Sequence, residues 1–190
     1  ISYPSGIDQN AIDLDFSLKK NLSNLADSKN KKFENLRICV LDRPRHKKII
    51  DEAKSLNIDV KLISDGDVSG ALLVTDEKHN IDLFLGTGGG PEGVLAASAL
   101  DTYGCGFQGR FIFDTDALKK RANEMGINDF DKKYNLDEII RGDSLFCATG
   151  ITNGDLVDGL ELRDNKMIVK TLITHKSQNT KKIVTGELDI

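Results

Sequence analysis

Three strand-like runs in this chain each end in a loop rich in glycine or charge, and each loop opens a helix-like segment. The runs are Leu36–Asp42, Asp59–Ser64 and Ile81–Leu85. The loops that follow them lie 22 and 23 residues apart, which is a nearly regular spacing. Such repeats predict an α/β fold with parallel strands, whose three loops share one edge of a sheet, where these folds bind ligands.

The first loop holds two arginines around a proline, Arg43-Pro44-Arg45. Pro44 restricts Arg43 to extended geometry, and side chains two residues apart on an extended stretch point the same way. Two guanidinium groups on one side of a strand end suit bidentate phosphate binding, with ordinary surface ion pairs as the alternative. His46 is predicted to begin a helix through Ser55 rather than to act as a base.

The second loop, Asp65-Gly66-Asp67, places two carboxylates around a flexible glycine. These carboxylates could accept hydrogen bonds from sugar hydroxyls or coordinate Mg²⁺. The alternative is a turn followed by a helix N-cap, which explains Asp67 fully and Asp65 poorly.

The third loop, Gly86–Gly93, contains a match to the dinucleotide fingerprint G-x-G-x-x-G over Gly88–Gly93. Asp114 follows 21 residues later, where an acid that binds ribose would be sought. Against this interpretation, Glu92 puts a carboxylate where a pyrophosphate would lie, and the two would repel without a cation between them. Glu92 is therefore either a metal ligand or a partner of the helix dipole.

The length of 190 residues suits one large domain or a piece of something bigger, and 39% hydrophobic and 29% charged residues are a balance typical of soluble proteins. We expect no membrane span, because no run of about 18 apolar residues occurs, and no nucleic-acid partner, because the net charge is −4. Cys39 and Cys147 are predicted to be buried thiols, which suits a reducing cytoplasm. The start at Ile1 rather than Met suggests a fragment or a processed product.

Three regions are expected along the chain. Residues 1–35 form an entry segment, with a strand over Ala11–Phe16 and a helix capped by Ser17. Residues 36–158 form the α/β core, and residues 159–190 form a terminal ribbon of short antiparallel strands.

Taken together, the loops resemble the class II fructose-1,6-bisphosphatases, bacterial phosphatases that in some organisms also hydrolyse sedoheptulose 1,7-bisphosphate. The similar segments occur in the family's order and span nearly the whole chain. They are Ile12-Asp13-Leu14-Asp15, Asp42-Arg43-Pro44-Arg45-His46, Ile63-Ser64-Asp65-Gly66-Asp67, Gly88-Gly89-Gly90-Pro91-Glu92-Gly93-Val94, Gln108-Gly109-Arg110, Met125-Gly126-Ile127 and Ala148-Thr149-Gly150-Ile151-Thr152-Asn153-Gly154-Asp155-Leu156.

The resemblance implies the sugar-phosphatase fold, with layered sheets and helices, and a cytoplasmic, metal-dependent hydrolysis of fructose 1,6-bisphosphate to fructose 6-phosphate and phosphate. It implies that Glu92 binds Mn²⁺ or Mg²⁺ and that Gly89 contacts the substrate through its backbone. The other implied substrate-binding residues are Arg43, Pro44, Arg45, Asp65, Gly66 and Asp67. Gly90 departs from the family pattern, which often has alanine there.

The family's chain is considerably longer, and its N-terminal half carries most of the metal-binding carboxylates and the threonine thought to position the attacking water. The resemblance therefore implies that this chain is the C-terminal half. No catalytic residue is legible in it, and its partners are expected to be the N-terminal half and further copies of the protein. Two alternatives stay open: an NAD(P)-binding oxidoreductase domain that uses Gly88–Gly93, and a non-catalytic module that binds sugar phosphates.

Overall fold

The computed structural model describes residues 1–189, which form ten strands and six α-helices. The strands are β1 (Ser2–Tyr3), β2 (Arg37–Leu41), β3 (Asp59–Ile63), β4 (Leu83–Leu85), β5 (Gly106–Arg110), β6 (Lys133–Asn135), β7 (Leu145–Thr149), β8 (Glu161–Arg163), β9 (Lys166–His175) and β10 (Thr180–Asp189). The α-helices are α1 (Leu18–Ser28), α2 (Lys47–Ser55), α3 (Asp67–Leu72), α4 (Gly90–Tyr103), α5 (Asp116–Glu124) and α6 (Leu136–Ile139).

The main sheet has six strands in the order β3-β2-β4-β1-β5-β6. β2 lies between β3 and β4 and is parallel to both. β1 is antiparallel to β4 and to β5, so β5 runs in the same direction as β2, β3 and β4. The predicted mixed sheet flanked by helices is confirmed, and the carboxyl ends of its four co-directional strands share one edge.

The main sheet is buried on both faces, and β2 shows how. Ile38 and Val40 belong to a core cluster with α1 and α2, whereas Cys39 and Leu41 belong to a second cluster with α3 and α4. Side chains of a strand alternate between the two faces of its sheet, so a strand covered on both sides must be apolar throughout. This requirement explains the continuous apolar run in β2.

Helix α4 packs closely on the sheet through small side chains, as the sequence predicts. Ala96, Ala97 and Ala99 are buried, and Pro91 lies in the first turn, where its missing N–H costs no hydrogen bond. The helix ends at Gly104, whose φ of +66° is a left-handed conformation that suits glycine.

The second sheet is a separate antiparallel ribbon in the order β10-β9-β7, with β8 also paired to β9. β9 and β10 pair along their full length, from Lys166 opposite Asp189 to His175 opposite Thr180. The predicted terminal antiparallel ribbon is confirmed. β7 joins it, so the ribbon takes in a strand from before residue 159.

The predicted strand over Ala11–Phe16 is wrong, because this segment forms turns and loop. Side chains rather than a neighbouring strand satisfy its backbone. The Asp13 N–H donates to Asn21 Oδ1 at 2.9 Å, and the Leu14 N–H donates to Gln108 Oε1 at 3.0 Å. Alternating apolar residues do not make a strand where no strand edge is available.

The prediction for the cysteines holds for one of the two thiols. Cys39 is fully buried, and burial raises the pKa of its thiol to about 11. Cys147 is exposed, because it lies on the face of β7 opposite to the buried Phe146. Among residues 1–189, no helix has the length and apolar character needed to cross a membrane.

The turn between β9 and β10 is fastened by a carboxylate in the loop before β7. Asp143 accepts hydrogen bonds from the Ser177 N–H at 2.9 Å and the Ser177 hydroxyl at 2.6 Å, and its Oδ2 lies 2.7 Å from His175 Nε2. Lys176 in the same turn donates to the Asp101 carbonyl at the end of α4, at 2.9 Å. His175 is therefore part of the connection between the ribbon and the main domain.

The Asp143 network predicts a pH dependence of stability. The bonds from Ser177 and then His175 lower the pKa of the Asp143 carboxyl from 3.8 to about 2. A depressed folded-state pKa means that the contribution is complete above 3.8 and is lost as the pH falls towards 2. We expect the stability advantage of the wild type over Asp143→Asn to shrink across that interval in urea unfolding. Asp27→Asn, at an exposed position of α1, is the matched control, and an advantage independent of pH would contradict the prediction.

Candidate functional site

The three predicted loops meet at one edge of the main sheet. They follow β2, β3 and β4, and because β2 is the middle strand, its loop lies between the other two. The prediction that the three loops share one edge of the sheet is therefore correct. The individual side chains are arranged differently from the prediction.

Arg43 keeps the extended backbone predicted for the residue before a proline, with φ −135° and ψ 145°. Its Nη2 lies 3.7 Å from Asp65 Oδ1, which joins the loop after β2 to the loop after β3. The Asp65 side chain is 94% exposed, and a long ion pair in such a position contributes little to stability. Arg43 can therefore exchange this partner for another anion at small cost.

Arg45 does not share an extended stretch with Arg43, so this part of the prediction is wrong. Pro44 begins a 3₁₀ turn over Pro44–His46, because its fixed backbone angle suits the first position of a helical turn. The turn directs Arg45 towards the Gly-rich loop, where its Nε donates to the Thr87 carbonyl at 2.7 Å. The two arginines contact different neighbouring loops instead of lying side by side.

His46 is a buried connection between the loops, and sequence reasoning missed it. It ends the 3₁₀ turn, while α2 begins at Lys47, and it is fully buried. Its Nδ1 lies 2.9 Å from the Leu41 carbonyl, and its Nε2 lies 2.8 Å from the Thr87 nitrogen. A carbonyl can only accept and an N–H can only donate, so His46 is neutral with its proton on Nδ1.

Thr87 is thus held from both sides by residues of one 3₁₀ turn. Its N–H donates to His46, and its carbonyl accepts from Arg45. These two bonds set the position of the strand end from which the Gly-rich loop departs. No sequence pattern identifies this role, because a histidine that follows two arginines looks like part of a charged surface.

Two carboxylates flank the Gly-rich loop. Asp67 is the first residue of α3 rather than its N-cap, since Gly66 occupies the cap position with φ +83°. The Asp67 carboxylate lies so close to Gly88 that a Cβ on Gly88 would overlap it. The Glu92 carboxylate has the same relation to Gly89. A side chain at either glycine would displace the end of one of these acidic side chains.

This arrangement bears on the metal and dinucleotide interpretations. Glu92 lies in the first turn of α4, where a negative charge also complements the helix dipole. Two carboxylates beside one loop suit a hard cation such as Mg²⁺ or Mn²⁺ and oppose a pyrophosphate. No group of three or more His, Cys, Asp or Glu side chains suited to a metal occurs among residues 1–189. Within the described chain this edge therefore does not form a metal site of three such ligands by itself.

Fold and site together define an α/β domain with charged loops at the carboxyl ends of its parallel strands. The family model described as bacterial fructose-1,6-bisphosphatase, glpX-encoded, matches residues 1–187. The chain therefore belongs to the family of the bacterial, glpX-encoded fructose-1,6-bisphosphatases, as its sequence motifs suggested.

Two curated relatives carry the name D-fructose 1,6-bisphosphatase class 2/sedoheptulose 1,7-bisphosphatase. The protein of Trichodesmium erythraeum is 36% identical over 189 residues, which cover 93% of this chain and 55% of the relative. The protein of a Synechocystis species is 36% identical over 186 residues, which cover 91% of this chain and 54% of the relative. The chain spans about half the length of the curated relatives it matches.

The hydrogen bond from Thr87 to His46 predicts that two amide substitutions at position 46 differ in how well they protect the Thr87 N–H from exchange. Asn at position 46 places an amide near the Nδ1 position and loses the bond to Thr87, whereas Gln reaches the Nε2 position and can keep it. We expect the Thr87 amide to exchange with solvent at least about tenfold faster in His46→Asn than in His46→Gln, since a lost buried hydrogen bond costs about 1–3 kcal/mol. Hydrogen exchange followed by NMR measures this. Equal exchange in the two variants would show that His46 does not hold the loop.

The start of α4 predicts that neighbouring glycines differ in their tolerance of alanine. At Gly90, the first residue of the helix, an added Cβ would lie 3.4 Å from Phe111, an ordinary contact, so Gly90→Ala should stabilise the first turn of α4 by about 0.5 kcal/mol. Gly89 is the N-cap of α4, where alanine is less favourable than glycine, so Gly89→Ala should bring no such gain. Urea unfolding of both variants measures the difference, and equal stabilisation would contradict the assignment of Gly89 as the N-cap.

Proposed function

We propose that this chain forms the C-terminal, substrate-binding half of a metal-dependent fructose-1,6-bisphosphatase. The enzyme would hydrolyse fructose 1,6-bisphosphate to fructose 6-phosphate and phosphate in the cytoplasm, as a step of gluconeogenesis. The observation that carries the proposal is that Arg45 binds Thr87 of the Gly-rich loop while the carboxylates of Asp67 and Glu92 approach Gly88 and Gly89, in a chain of this family.

The arginines are assigned to the phosphate that is not hydrolysed. The Arg43 guanidinium donates to the Asp42 carbonyl at 3.2 Å, and its one ion pair is the long contact with the exposed Asp65, so a phosphate can displace that carboxylate. Arg45 is oriented by the bond from its Nε to the Thr87 carbonyl, which holds the guanidinium beside the Gly-rich loop. A guanidinium suits a phosphate through parallel N–H donors, and binding the distal phosphate orients the reacting end of the substrate.

The loop Asp65-Gly66-Asp67 is assigned to the sugar. Gly66 adopts a left-handed conformation that turns the chain sharply between the two acids. The sugar hydroxyls can donate hydrogen bonds to these carboxylates. Gly89 has no side chain, and the Glu92 carboxylate lies where its Cβ would project, so we assign Gly89 a backbone contact with the substrate beside Glu92.

Glu92, with Asp67 of α3 beside the same Gly-rich loop, would hold a Mn²⁺ or Mg²⁺ ion. Such ions are often bound by one or two carboxylates, with water and substrate phosphate completing the shell. A bound ion would neutralise negative charge on the oxygens of the transferred phosphoryl group, and it would lower the pKa of a coordinated water. The N-terminal half would supply the remaining ligands and the group that positions the attacking water.

Two other functions make different predictions for the same loops. A dinucleotide-binding domain would bind NADH and quench its fluorescence on titration. The carboxylates beside Gly88 and Gly89 disfavour this binding. A non-catalytic sugar-phosphate module would be stabilised against heat by fructose 1,6-bisphosphate without any turnover by the full-length protein. Manganese-dependent release of phosphate by the full-length protein excludes both alternatives.

The proposal predicts that Glu92→Gln in the full-length protein reduces metal-dependent phosphate release by at least about tenfold. Substitution of a residue that only supports a metal ligand typically lowers metal affinity or activity by about 10–100-fold, and loss of the ligand itself should cost at least as much. The substitution removes the charge and retains the shape of the side chain. The assay follows phosphate released from fructose 1,6-bisphosphate as a function of manganese concentration, and circular dichroism checks the fold. We expect the manganese requirement to rise along with the loss of rate.

Glu124→Gln is the matched control, since it makes the same change at an exposed position in the last turn of α5. It should leave the rate and the manganese requirement unchanged. A Glu92→Gln enzyme with wild-type rate and manganese dependence would show that Glu92 only complements the helix dipole.

A further inference from the structure

The Gly-rich loop reaches the first turn of α4 through a short and flexible link. Only Gly88 and Gly89 lie between Thr87 and the first residue of the helix. Gly89 is the N-cap and, as a glycine, provides no side-chain hydrogen bond to the first turn. Glycine has the greatest backbone freedom, and a first turn without a side-chain cap is less stable than a capped one. The position of Glu92, which lies in that turn, therefore depends on what holds the two ends of the link.

The two ends of this link are held in different ways. On the helix side, the alanine-rich face of α4 is buried, so the body of the helix is fixed by packing. On the strand side, β4 ends at Leu85, and Thr87 lies beyond the strand pairing. The Thr87 N–H donates to His46 Nε2 at 2.8 Å, and the Thr87 carbonyl accepts from Arg45 Nε at 2.7 Å. These two bonds fasten the strand end of the link.

The imidazole of His46 can hold Thr87 firmly because the ring is itself fixed. It is fully buried, and its Nδ1 lies 2.9 Å from the Leu41 carbonyl at the end of β2. The ring also lies beside Gly86, where an added Cβ would be 3.6 Å from Cε1 and 3.7 Å from Nε2. A neutral imidazole donates from one nitrogen and accepts at the other, so this rigid ring connects the ends of β2 and β4. Thr87 is thus held relative to the strand that is buried on both faces.

We propose that His46 is a positioning residue for the proposed hydrolysis: it fixes Thr87 and, through the two glycines, places Glu92 to bind the metal ion. This inference rests on the proposed function, because it concerns the same ion. Arg43 and Asp65, assigned to the substrate, are held by contacts that do not involve His46. The loss of His46 should therefore change metal affinity and turnover more than the KM for the substrate.

Binding of Mn²⁺ to the full-length protein without substrate tests this role directly. His46→Asn loses the bond to Thr87, whereas His46→Gln is long enough to keep it. We expect His46→Asn to raise the dissociation constant for Mn²⁺ by at least about tenfold, the low end of the effect of losing a group that orients a metal ligand. His46→Gln should restore most of the affinity. Electron paramagnetic resonance of free Mn²⁺ in a titration measures the dissociation constants of the wild type and both variants.

Steady-state release of phosphate from fructose 1,6-bisphosphate gives a second, independent measurement. In His46→Asn we expect the manganese concentration for half-maximal activity to rise and kcat to fall, while the KM for the substrate changes less than kcat. His46→Gln should again lie closer to the wild type. A role in folding alone would reduce the amount of active protein without shifting the dissociation constant for Mn²⁺ in the folded fraction.

Asp82→Asn is the matched control, because it weakens a buried contact at the opposite end of the same strand. Asp82 is buried just before β4, where its carboxylate accepts from Lys29 at 2.5 Å, Lys31 at 2.7 Å and the Arg37 N–H at 2.8 Å. The substitution should lower stability in urea unfolding and leave the affinity for Mn²⁺ unchanged. An equal loss of affinity in Asp82→Asn and His46→Asn would show that general loosening of β4 sets the affinity.

Wild-type affinity for Mn²⁺ in His46→Asn, or equal weakening in His46→Asn and His46→Gln, overturns this inference and leaves the proposed function standing. A wild-type protein that neither binds Mn²⁺ nor releases phosphate overturns both.

Arg45→Lys decides the question if circular dichroism shows that His46→Asn does not fold. Arg45 is exposed, and lysine keeps its positive charge but lacks the Nε donor to the Thr87 carbonyl. A weaker affinity for Mn²⁺ in this variant supports the anchoring of Glu92 through Thr87, and an unchanged affinity overturns it.

Discussion

The parallel pairing of β2 with both β3 and β4 is the constraint on which the site depends. It places three strand ends side by side, and since β2 is buried on both faces, none of the three strands can turn or slip without exposing apolar residues to water. A loop at such an edge starts from a fixed point. The positions of Arg43, Asp67 and Glu92 follow from that rigidity more than from any contact among them.

A second set of interactions makes the loops act as a unit. His46 and Arg45 hold the two sides of the Thr87 peptide, and Arg43 bridges to Asp65. The buried histidine is the strongest of these connections, because both of its ring nitrogens are satisfied away from water, where a missing partner is costly. The exposed pair is the weakest, which is a useful property at a place where a ligand must enter.

The ribbon contributes in a different way. Its inner face completes the core beside α4 through Phe146 and Leu172, and its turn is fastened by Asp143 and Lys176. Its outer edge takes no part in the fold of the described chain. The same long hairpin thus provides a wall of the domain.

The sequence alone predicted the mixed sheet, the shared edge, the ribbon and the family, because these depend on periodicity, on glycine and charge at strand ends, and on the order of motifs. It did not predict the separation of Arg43 from Arg45, since Pro44 permits either an extended strand end or a helical turn. It failed at Ala11–Phe16, where buried side chains replace a strand partner. The roles of His46 and Gly89 were decided only by the tertiary structure, because each depends on atoms brought from another loop, at distances that local pattern does not encode.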